Sequence, residues 1–352
     1  MDVKYKNFDS GTSLKEQRRL FNECFPENVS SPISSLEHYY WKHKNYHSSF
    51  EFSAILNSEL VGYYAALPYQ YHSNEGIMKV GMVCDVMTGE KSRGKGIFTK
   101  LGSHSTSKLK EGGLDFTTGF PIRKEVIPGH LNAGWDIAFL LPFYVKIKSI
   151  KSILKKIKLS FLSPIFDFIL KIIFIPFNIN YQKKNVSIVN VGIDNFFQSN
   201  DYKNLTNQIS KENPIYLDKS AQFMCWRLSA PTSVYKISIV KLNKLVIGYI
   251  VSRSIKKFGF NCTGIVDIAF LEKHKNLVKI GINQLCKESL DDLIVLMCNA
   301  SIHKKYNLFS AGFFVTPFKF SLIIKNLSNK FGSDFLYNEK NWHLTWIDCD
   351  DL

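Results

Sequence analysis

Four short motifs occur twice along the chain, in the same order and at similar separations, and this recurrence constrains the fold more than any other feature. The first set is HYYWKHK (38–44), LVGYYAAL (60–67), VCDVMT (83–88) and NAGW (132–135); the second is FMCWRLS (223–229), VIGYIVS (246–252), IVDIAF (265–270) and SAGFF (310–314). The spacing from Trp41 to Gly62 is 21 residues, and that from Trp226 to Gly248 is 22. Four matches in register predict two copies of one fold.

The length of the chain agrees with two domains. It has 352 residues, of which 45% are hydrophobic, and a typical domain has roughly 150 residues. We predict a first domain over residues 1–145, a basic amphipathic helical linker over 146–185, and a second, degenerate copy over 186–352.

The first copy has a clear pattern of strands and helices. FEFSAILN and ELVGYYAALPYQYH alternate as a hairpin around Asn57-Ser58, and MKVGMVCDVMT is the next strand. GIFTKLGSHSTSKLKEGG predicts a helix that ends at a glycine pair, and LDFTTGF predicts another strand. The predicted fold class is therefore α/β, with mixed strand pairing.

A basic, glycine-rich turn follows the strand that ends at Thr88. The stretch GEKSRGKG precedes a helix, whereas the second copy has LEKHKNLVKIG at this place. Glycines allow close approach of the backbone, and N–H groups at a helix start, flanked by Lys91, Arg93 and Lys95, suit a pyrophosphate. We expect any catalysis to belong to the first copy.

This turn resembles a known acyl-CoA signature. Lys91-Ser92-Arg93-Gly94-Lys95-Gly96 is similar to the Gln/Arg-x-x-Gly-x-Gly/Ala motif of the Gcn5-related N-acetyltransferase (GNAT) superfamily, with Lys91 in place of Gln or Arg. The resemblance implies tandem GNAT folds, each a mixed, splayed β-sheet flanked by helices, and acyl-CoA as co-substrate. It places the pantetheine along Val86, Met87 and Thr88, and the pyrophosphate on the amides of Ser92, Arg93, Gly94, Lys95, Gly96 and Ile97.

The resemblance also implies catalytic roles. A backbone N–H of Val86 or Met87 would stabilise the oxyanion during direct transfer in a ternary complex. His130 stands four residues before Gly134, where the superfamily commonly has a tyrosine that protonates the departing thiolate; histidine can serve there, or it can merely contact CoA or solvent. Asp85 is the nearest carboxylate for removing the proton of the amine, and a structural role shared with Asp267 is the alternative.

The acceptor is predicted from a narrower resemblance. VMT…RGKGIFTKL, GFP (119–121), MCWR (224–227) and NWHLTWIDCDD (341–351) are similar to acyltransferases of O-antigen and capsule synthesis. These imply a nucleotide sugar as acceptor, a dTDP-linked 3-amino-3,6-dideoxyhexose, and acetyl-CoA or 3-hydroxybutanoyl-CoA as donor. Such an acceptor needs cations and aromatic rings. The candidates to bind it are Tyr39, Tyr40, Trp41, Phe120, Trp226 and Arg227.

Three alternatives stay open. One is an acetyltransferase whose acceptor is an aminoglycoside or a polyamine, and that site would be lined by carboxylates. The others are aminoacyl-tRNA-dependent (Fem-like) peptide transfer and a protein that binds a lipid surface. The net charge of +15 suits phosphate-bearing partners, although a lysine-rich bias with solvated faces explains it equally well, and no nucleic-acid partner is predicted.

The remaining patterns bear on location and metals. Seven scattered cysteines and a start without a signal-peptide pattern predict reduced thiols in the cytoplasm. The histidines of HYYWKHKNYH match no ligand spacing, so no metal is predicted. Residues 146–179 lack the roughly 20 uninterrupted apolar residues of a membrane span. We expect a linker that packs on both domains, with peripheral membrane contact as the alternative; the oligomeric state stays open.

Overall fold

The computed structural model describes residues 2–156, 158–173, 175–178 and 185–350. Its strands are, in chain order, β1 (Val3–Asn7), β2 (Phe50–Leu56), β3 (Glu59–Ser73), β4 (Gly76–Thr88), β5 (Phe116–Gly119), β6 (Asp136–Ile147), β7 (Val186–Val191), β8 (Ile215–Leu217), β9 (Tyr235–Leu242), β10 (Leu245–Lys257), β11 (Phe260–Phe270), β12 (Leu293–Met297), β13 (Phe314–Asn326) and β14 (Trp342–His343).

The helices lie between these strands. They are α1 (Ser10–Cys24), α2 (Leu36–His43), α3 (Ile97–Glu111), α4 (Ile127–Asn132), α5 (Lys151–Lys156), α6 (Ser163–Ile173), α7 (Ile175–Asn178), α8 (Ile193–Phe197), α9 (Asn200–Lys211), α10 (Ala221–Leu228), α11 (Val278–Glu288), α12 (Ala300–Lys305) and α13 (Ser333–Leu336). The predicted α/β class is confirmed.

Packing divides the chain into two compact units whose segments alternate along the sequence. Unit 1 comprises Met1–Leu140, Ser229–Thr232 and Phe320–Asn341, and unit 2 comprises Leu141–Leu228, Ser233–Lys319 and Trp342–Leu352. These units are defined by contacts, whereas the boundaries 1–145, 146–185 and 186–352 were drawn from motifs. The motif-based boundaries stay a prediction.

Unit 1 is built on a mixed sheet in which β1, β2, β3 and β4 pair antiparallel in that order. Strand β5 pairs parallel with β4, and the part of β13 from Ile323 to Asn326 pairs antiparallel with β5. Helix α3 covers the sheet with Ile97, Leu101 and Leu109, which belong to its buried apolar core. The final strand of this sheet therefore comes from a distant part of the sequence.

The strands of unit 2 also pair in a mixed arrangement. Strands β7, β9, β10 and β11 pair antiparallel, β12 pairs parallel with β11, and the part of β6 from Phe143 to Ile147 pairs antiparallel with β12. Its core includes residues from β10, β11, α11 and β12.

The local predictions for the first copy agree with the structure. The hairpin between β2 and β3 turns at Asn57 and Ser58, which both have positive φ (50° and 67°), as a tight two-residue turn requires. Helix α3 ends at Glu111 and is followed by Gly112 and Gly113. Strand β1, which was not predicted, ends at Asn7; helix α1 begins at Ser10, where the Asp9 carboxylate accepts the N–H of Gly11 at 2.9 Å.

The segment predicted as an amphipathic linker contains α5, α6 and α7; residues 157, 174 and 179–184 of it lie outside the described residues. Within the described part of the chain, no helix has the length and apolar character needed to cross a membrane.

Candidate functional site

Strand β4 separates from its parallel neighbour before it ends. Pairing with β5 runs from Val80 to Val83, whereas pairing with β3 on the other side extends to Thr88. Over the described residues, no strand pairs with Cys84–Thr88 on the β5 side. The last residues of β4 therefore offer backbone groups to a ligand, at the place where the sequence predicted the pantetheine of acyl-CoA.

A β-bulge interrupts β4 at this point. The register with β3 shifts between Tyr63 and Ala65, and Asp85 has a φ of +49°, which is uncommon for a residue other than glycine. A bulge changes the direction of the neighbouring backbone groups, and such irregularities are frequent at functional sites. The bulge lies beside Val86 and Met87, whose predicted role as oxyanion donors stays a prediction.

The Asp85 carboxylate is held by two residues of α2. Lys42 Nζ donates to Oδ1 at 2.9 Å, and His43 Nε2 lies 3.0 Å from Oδ2. Burial raises the pKa of Asp85, but Lys42 and His43 outweigh burial and hold it well below its usual range. Burial lowers the pKa of His43, so the neutral ring donates its Nε2–H, while Nδ1 lies 3.0 Å from Ser49 Oγ.

An ionised carboxylate with so low a pKa is a weak proton acceptor, and its contacts fix the bulge and α2 together. The predicted role of Asp85 as a base stays a prediction.

A second buried carboxylate lies beside this cluster. Glu51 accepts from Tyr39 OH at 2.5 Å, Tyr63 OH at 2.6 Å and Lys44 Nζ at 2.6 Å. Sequence reasoning missed the pairing of Lys42 with Asp85 and of Lys44 with Glu51. The available signal was the HYYWKHK motif, because it places several polar side chains on a short helix. Polar side chains that are buried need hydrogen-bond partners.

The predicted pyrophosphate turn connects β4 to α3. A 3-10 turn spans Glu90–Ser92, and the N–H of Glu90 donates to Glu23 Oε1 at 2.6 Å, so α1 holds the beginning of the turn. Gly94 and Gly96 have φ values of +74° and +72°. Helix α3 begins at Ile97, and no side chain caps its start. Glu23 is a contact that sequence reasoning missed.

The geometry of this turn suits an anion. The first N–H groups of a helix lack partners within the helix and carry partial positive charge. Lys91, Arg93 and Lys95 are exposed around them, and a Cβ added to Gly94 or Gly96 would meet no protein atom within 4 Å. The turn therefore combines uncapped amides, open space and three cations, which fits the diphosphate of CoA.

His130 is buried between two aromatic rings of unit 1. Its ring centroid lies 5.1 Å from that of Phe98 and 5.2 Å from that of Trp135, and its residue surface is 6% exposed. Burial lowers the pKa of His130 to about 4, so the ring is neutral near pH 7. A neutral imidazole supplies no imidazolium proton, and the predicted role as general acid stays a prediction.

Most of the residues predicted to bind the acceptor are buried. In unit 1, Tyr39 bonds to Glu51, Trp41 packs against His38, and Phe120 is in the interior, whereas Tyr40 is 47% exposed. In unit 2, Trp226 and Arg227 are buried, and Arg227 Nη2 donates to the backbone oxygen of Cys349 at 2.6 Å. Their predicted contacts with a substrate stay predictions.

Comparison with known proteins identifies the segment that contains the turn. Residues 10–138 match the family model described as an acetyltransferase (GNAT) domain. The match covers a little more than a third of the chain. No curated protein matches the sequence. The GNAT match ends close to Leu140, where the first segment of unit 1 ends.

Solved structures share the fold at low sequence identity. A GCN5-related N-acetyltransferase from Anabaena variabilis is 12% identical with a TM-score of 0.67, and the match covers 93% of this chain and 73% of that one. A protein from Enterococcus faecalis described as a probable N-acyltransferase is 11% identical with a TM-score of 0.64 and the same coverage.

Saccharomyces cerevisiae N-myristoyltransferase with bound myristoyl-CoA is 9% identical with a TM-score of 0.60, covering 93% of this chain and 79% of that chain. At these identities the likenesses show the fold, and the family-model match over residues 10–138 supports an acyl-CoA-dependent N-acetyltransferase.

Proposed function

We propose that this protein transfers an acyl group from acyl-CoA to an amine, and that the CoA site is the turn between β4 and α3. The observation that carries the proposal is the uncapped start of α3 behind Gly94 and Gly96, at the end of a strand that has lost its parallel partner. The diphosphate binds the amides from Gly94 to Ile97, since the predicted donors Ser92 and Arg93 already donate their N–H groups to the backbone oxygens of Gly89 and Glu90. Lys91, Arg93 and Lys95 add attraction for its charge.

In this proposal, the free edge of β4 positions the thioester. Backbone groups of Val86, Met87 and Thr88 bind the pantetheine. The bulge at Asp85 aims an N–H of Val86 or Met87 at the thioester oxygen, where negative charge develops as the amine attacks. The acyl group passes directly to the amine, so no residue of the chain has to form a covalent bond with it.

The proton transfers need a separate assignment. Asp85 is ionised and paired with Lys42, so its part in the proposal is to hold the bulge and thereby the N–H donor. His130 is close to Phe98 of α3 and is neutral at pH 7, so it can accept a proton or donate a hydrogen bond through N–H.

For the acceptor, we propose a nucleotide-linked amino sugar, with a dTDP-linked 3-amino-3,6-dideoxyhexose as the first compound to test. A polycationic acceptor such as an aminoglycoside needs unpaired carboxylates. The two buried carboxylates near the bulge, Asp85 and Glu51, are already paired with Lys42 and Lys44. The net charge of +15 also disfavours a polycation and suits a diphosphate.

We further infer that the chain is a tandem of two GNAT-like folds. The order β9, β10, β11, α11, β12 in unit 2 repeats the order β2, β3, β4, α3, β5 in unit 1. The register between β10 and β11 also shifts, between Val251 and Ser252, close to the position of Asp267. Gly134 and Gly312 both have positive φ (81° and 88°).

The test is thiol release from acetyl-CoA and from 3-hydroxybutanoyl-CoA, with dTDP-amino sugars, kanamycin and spermine as acceptors. We expect release with a nucleotide sugar, and its loss in a Gly94→Glu, Gly96→Glu double variant, because the carboxylates fill the anion site. Thiol release with kanamycin or spermine, and none with a nucleotide sugar, would show that the proposed acceptor is wrong. Unchanged CoA binding in the double variant would overturn the assignment of the turn.

A further inference from the structure

Helix α6 of unit 2 presents its apolar side chains to solvent and its acidic residue to the protein. Asp167 is half-buried, and its carboxylate accepts from the N–H of Ile150 at 2.9 Å and from Ser149 Oγ at 3.2 Å. Phe168 is 65% exposed and Ile172 is 52% exposed. This orientation is the reverse of the usual arrangement for a surface helix, whose apolar side faces the core.

The exposed apolar surface extends beyond α6 on both sides. We define the apolar patch as the exposed residues of this region: Leu159, Phe161, Ile165, Phe166, Phe168, Ile169, Ile172 and Ile175. At the C-terminal end, Phe177 contacts the rings of Phe309 and Phe314, which are also exposed, with centroids 5.8 Å away in each case. Contiguous exposed apolar patches are rare on soluble monomers and mark interaction sites.

The orientation of the patch is fixed at both ends. Asp167 ties α6 to the residues before α5, and Lys279 Nζ donates to the backbone oxygen of Pro176 in α7 at 3.1 Å. A rotation that buried Phe168 and Ile172 would expose Asp167 and break both of its hydrogen bonds. These contacts therefore hold the apolar patch toward solvent. A linker that only packs on the protein would be expected to bury these side chains.

The charged residues of the segment itself are nearly all basic. Residues 146–178 contain seven lysines and one acidic residue, Asp167, which faces the protein. Lys151, Lys155 and Lys158 are exposed on and just after α5. Apolar side chains flanked by lysines match a membrane surface that carries anionic headgroups, in which each lysine near the surface strengthens binding.

We propose that this segment docks the protein on an anionic membrane surface. The apolar patch enters the boundary between headgroups and acyl chains, and the lysines of α5 contact the anionic headgroups. The helix lies on the membrane and does not cross it, in agreement with the lack of a spanning helix in the described residues. This proposal concerns unit 2 and is independent of the CoA turn in unit 1.

The test is co-flotation of the full chain with vesicles of phosphatidylcholine alone and of phosphatidylcholine with 30 mol% phosphatidylglycerol. We expect binding to the anionic vesicles that weakens as salt rises, because salt screens the lysines. A Phe168→Ser, Ile172→Ser variant should lose at least tenfold in binding. The matched control is Val234→Ser, Leu245→Ser, which removes two exposed apolar residues of unit 2 outside the patch and should bind normally.

A second variant tests the charge. Lys151→Glu, Lys155→Glu, Lys158→Glu should abolish binding to anionic vesicles and leave the melting temperature within a few degrees, because all three lysines are exposed. No binding of the wild type to either vesicle would overturn the proposal. So would equal binding by the control and the Phe168→Ser, Ile172→Ser variant, or sedimentation showing that the patch joins two copies of the chain.

Discussion

A matched pair of glycines at the two ends of α3 allows the CoA site to be tested apart from stability. Gly96 and Gly113 have φ values of +72° and +78°, and a Cβ added to either meets no protein atom within 4 Å. Alanine in the left-handed region costs roughly 1–2 kcal/mol at either position. Gly96→Ala and Gly113→Ala should therefore lower the free energy of unfolding by similar amounts.

The two variants should differ in CoA binding. Gly96 precedes the first N–H groups of α3, and a turn that relaxes away from the left-handed conformation redirects at least one of these donors. A hydrogen bond to a charged group contributes about 1.5–3 kcal/mol. We therefore expect Gly96→Ala to weaken CoA binding by about 10- to 150-fold. Gly113→Ala should keep the dissociation constant of CoA within about two- to threefold of the wild-type value.

Isothermal titration calorimetry with CoA, together with thermal denaturation, measures both quantities on the same samples. The reasoning is refuted if both variants bind CoA equally, whether equally weakly or equally well. Equal weakening would mean that loss of stability, and not loss of the anion site, explains the effect. Gly94→Ala, at a φ of +74°, should behave like Gly96→Ala.

The remaining predictions concern charge, pH and stoichiometry. Lys91→Ala, Lys95→Ala should raise KM for acyl-CoA several-fold and reduce its salt dependence, which steady-state kinetics at two ionic strengths will show. His130→Gln should have the same pH profile of kcat/KM as the wild type between pH 6 and 8, because burial lowers the pKa of His130 to about 4; a limb lost in the variant would instead support the proton-donor role. Asp85→Asn should destabilise the fold by about 3–5 kcal/mol in urea unfolding, since it removes the negative charge that faces the buried Lys42 ammonium. The pKa of Asp85 is lowered on folding, so its stabilisation is fully present above about pH 4 and disappears as pH falls further; an unchanged acid-unfolding midpoint in the variant would contradict this. Calorimetry should give one CoA per chain, and two would refute the assignment to a single turn.

The parts of this site that follow from short stretches of sequence could be predicted. The hairpin at Asn57-Ser58, strand β4 and helix α3 each have a local pattern that fixes them. Gly94 and Gly96 are visible because a turn before a helix that needs left-handed residues selects glycine. Nothing outside the segment is required for such a prediction, which is why the α/β class and the candidate turn both emerged from the sequence.

The Asp85 and Glu51 networks could not be predicted in this way. The position of Asp85 depends on a register shift between β3 and β4, and its partners come from α2, more than forty residues earlier. In the sequence, His38, His43 and His47 form a group whose spacing matches no metal-ligand set. Only the packing of α2 shows that His43 is buried against a carboxylate and that this burial determines its charge.

The sequence also did not predict which segments of the chain belong to each unit. Strand β13 pairs with β5 in unit 1 and β6 pairs with β12 in unit 2, so each unit takes in a strand whose preceding residues belong to the other unit. Strand alternation shows that a segment is a strand but does not specify its partner. Boundaries drawn from motifs at 145 and 185 therefore divide the chain differently from its contacts.

The connection after β11 shows why one turn per chain is expected to bind CoA. In unit 2, a 3-10 turn over Glu272–Leu277 leads into α11, and none of the described residues from Leu271 to Val278 has a positive φ. Lys275 and Lys305 both pair with Glu272. This turn therefore lacks the left-handed glycines that open the turn of unit 1, and its lysines are engaged by Glu272, whereas Lys91 and Lys95 of unit 1 are exposed. Unit 2 instead carries the apolar patch, so the chain is expected to divide acyl transfer and membrane contact between its two units.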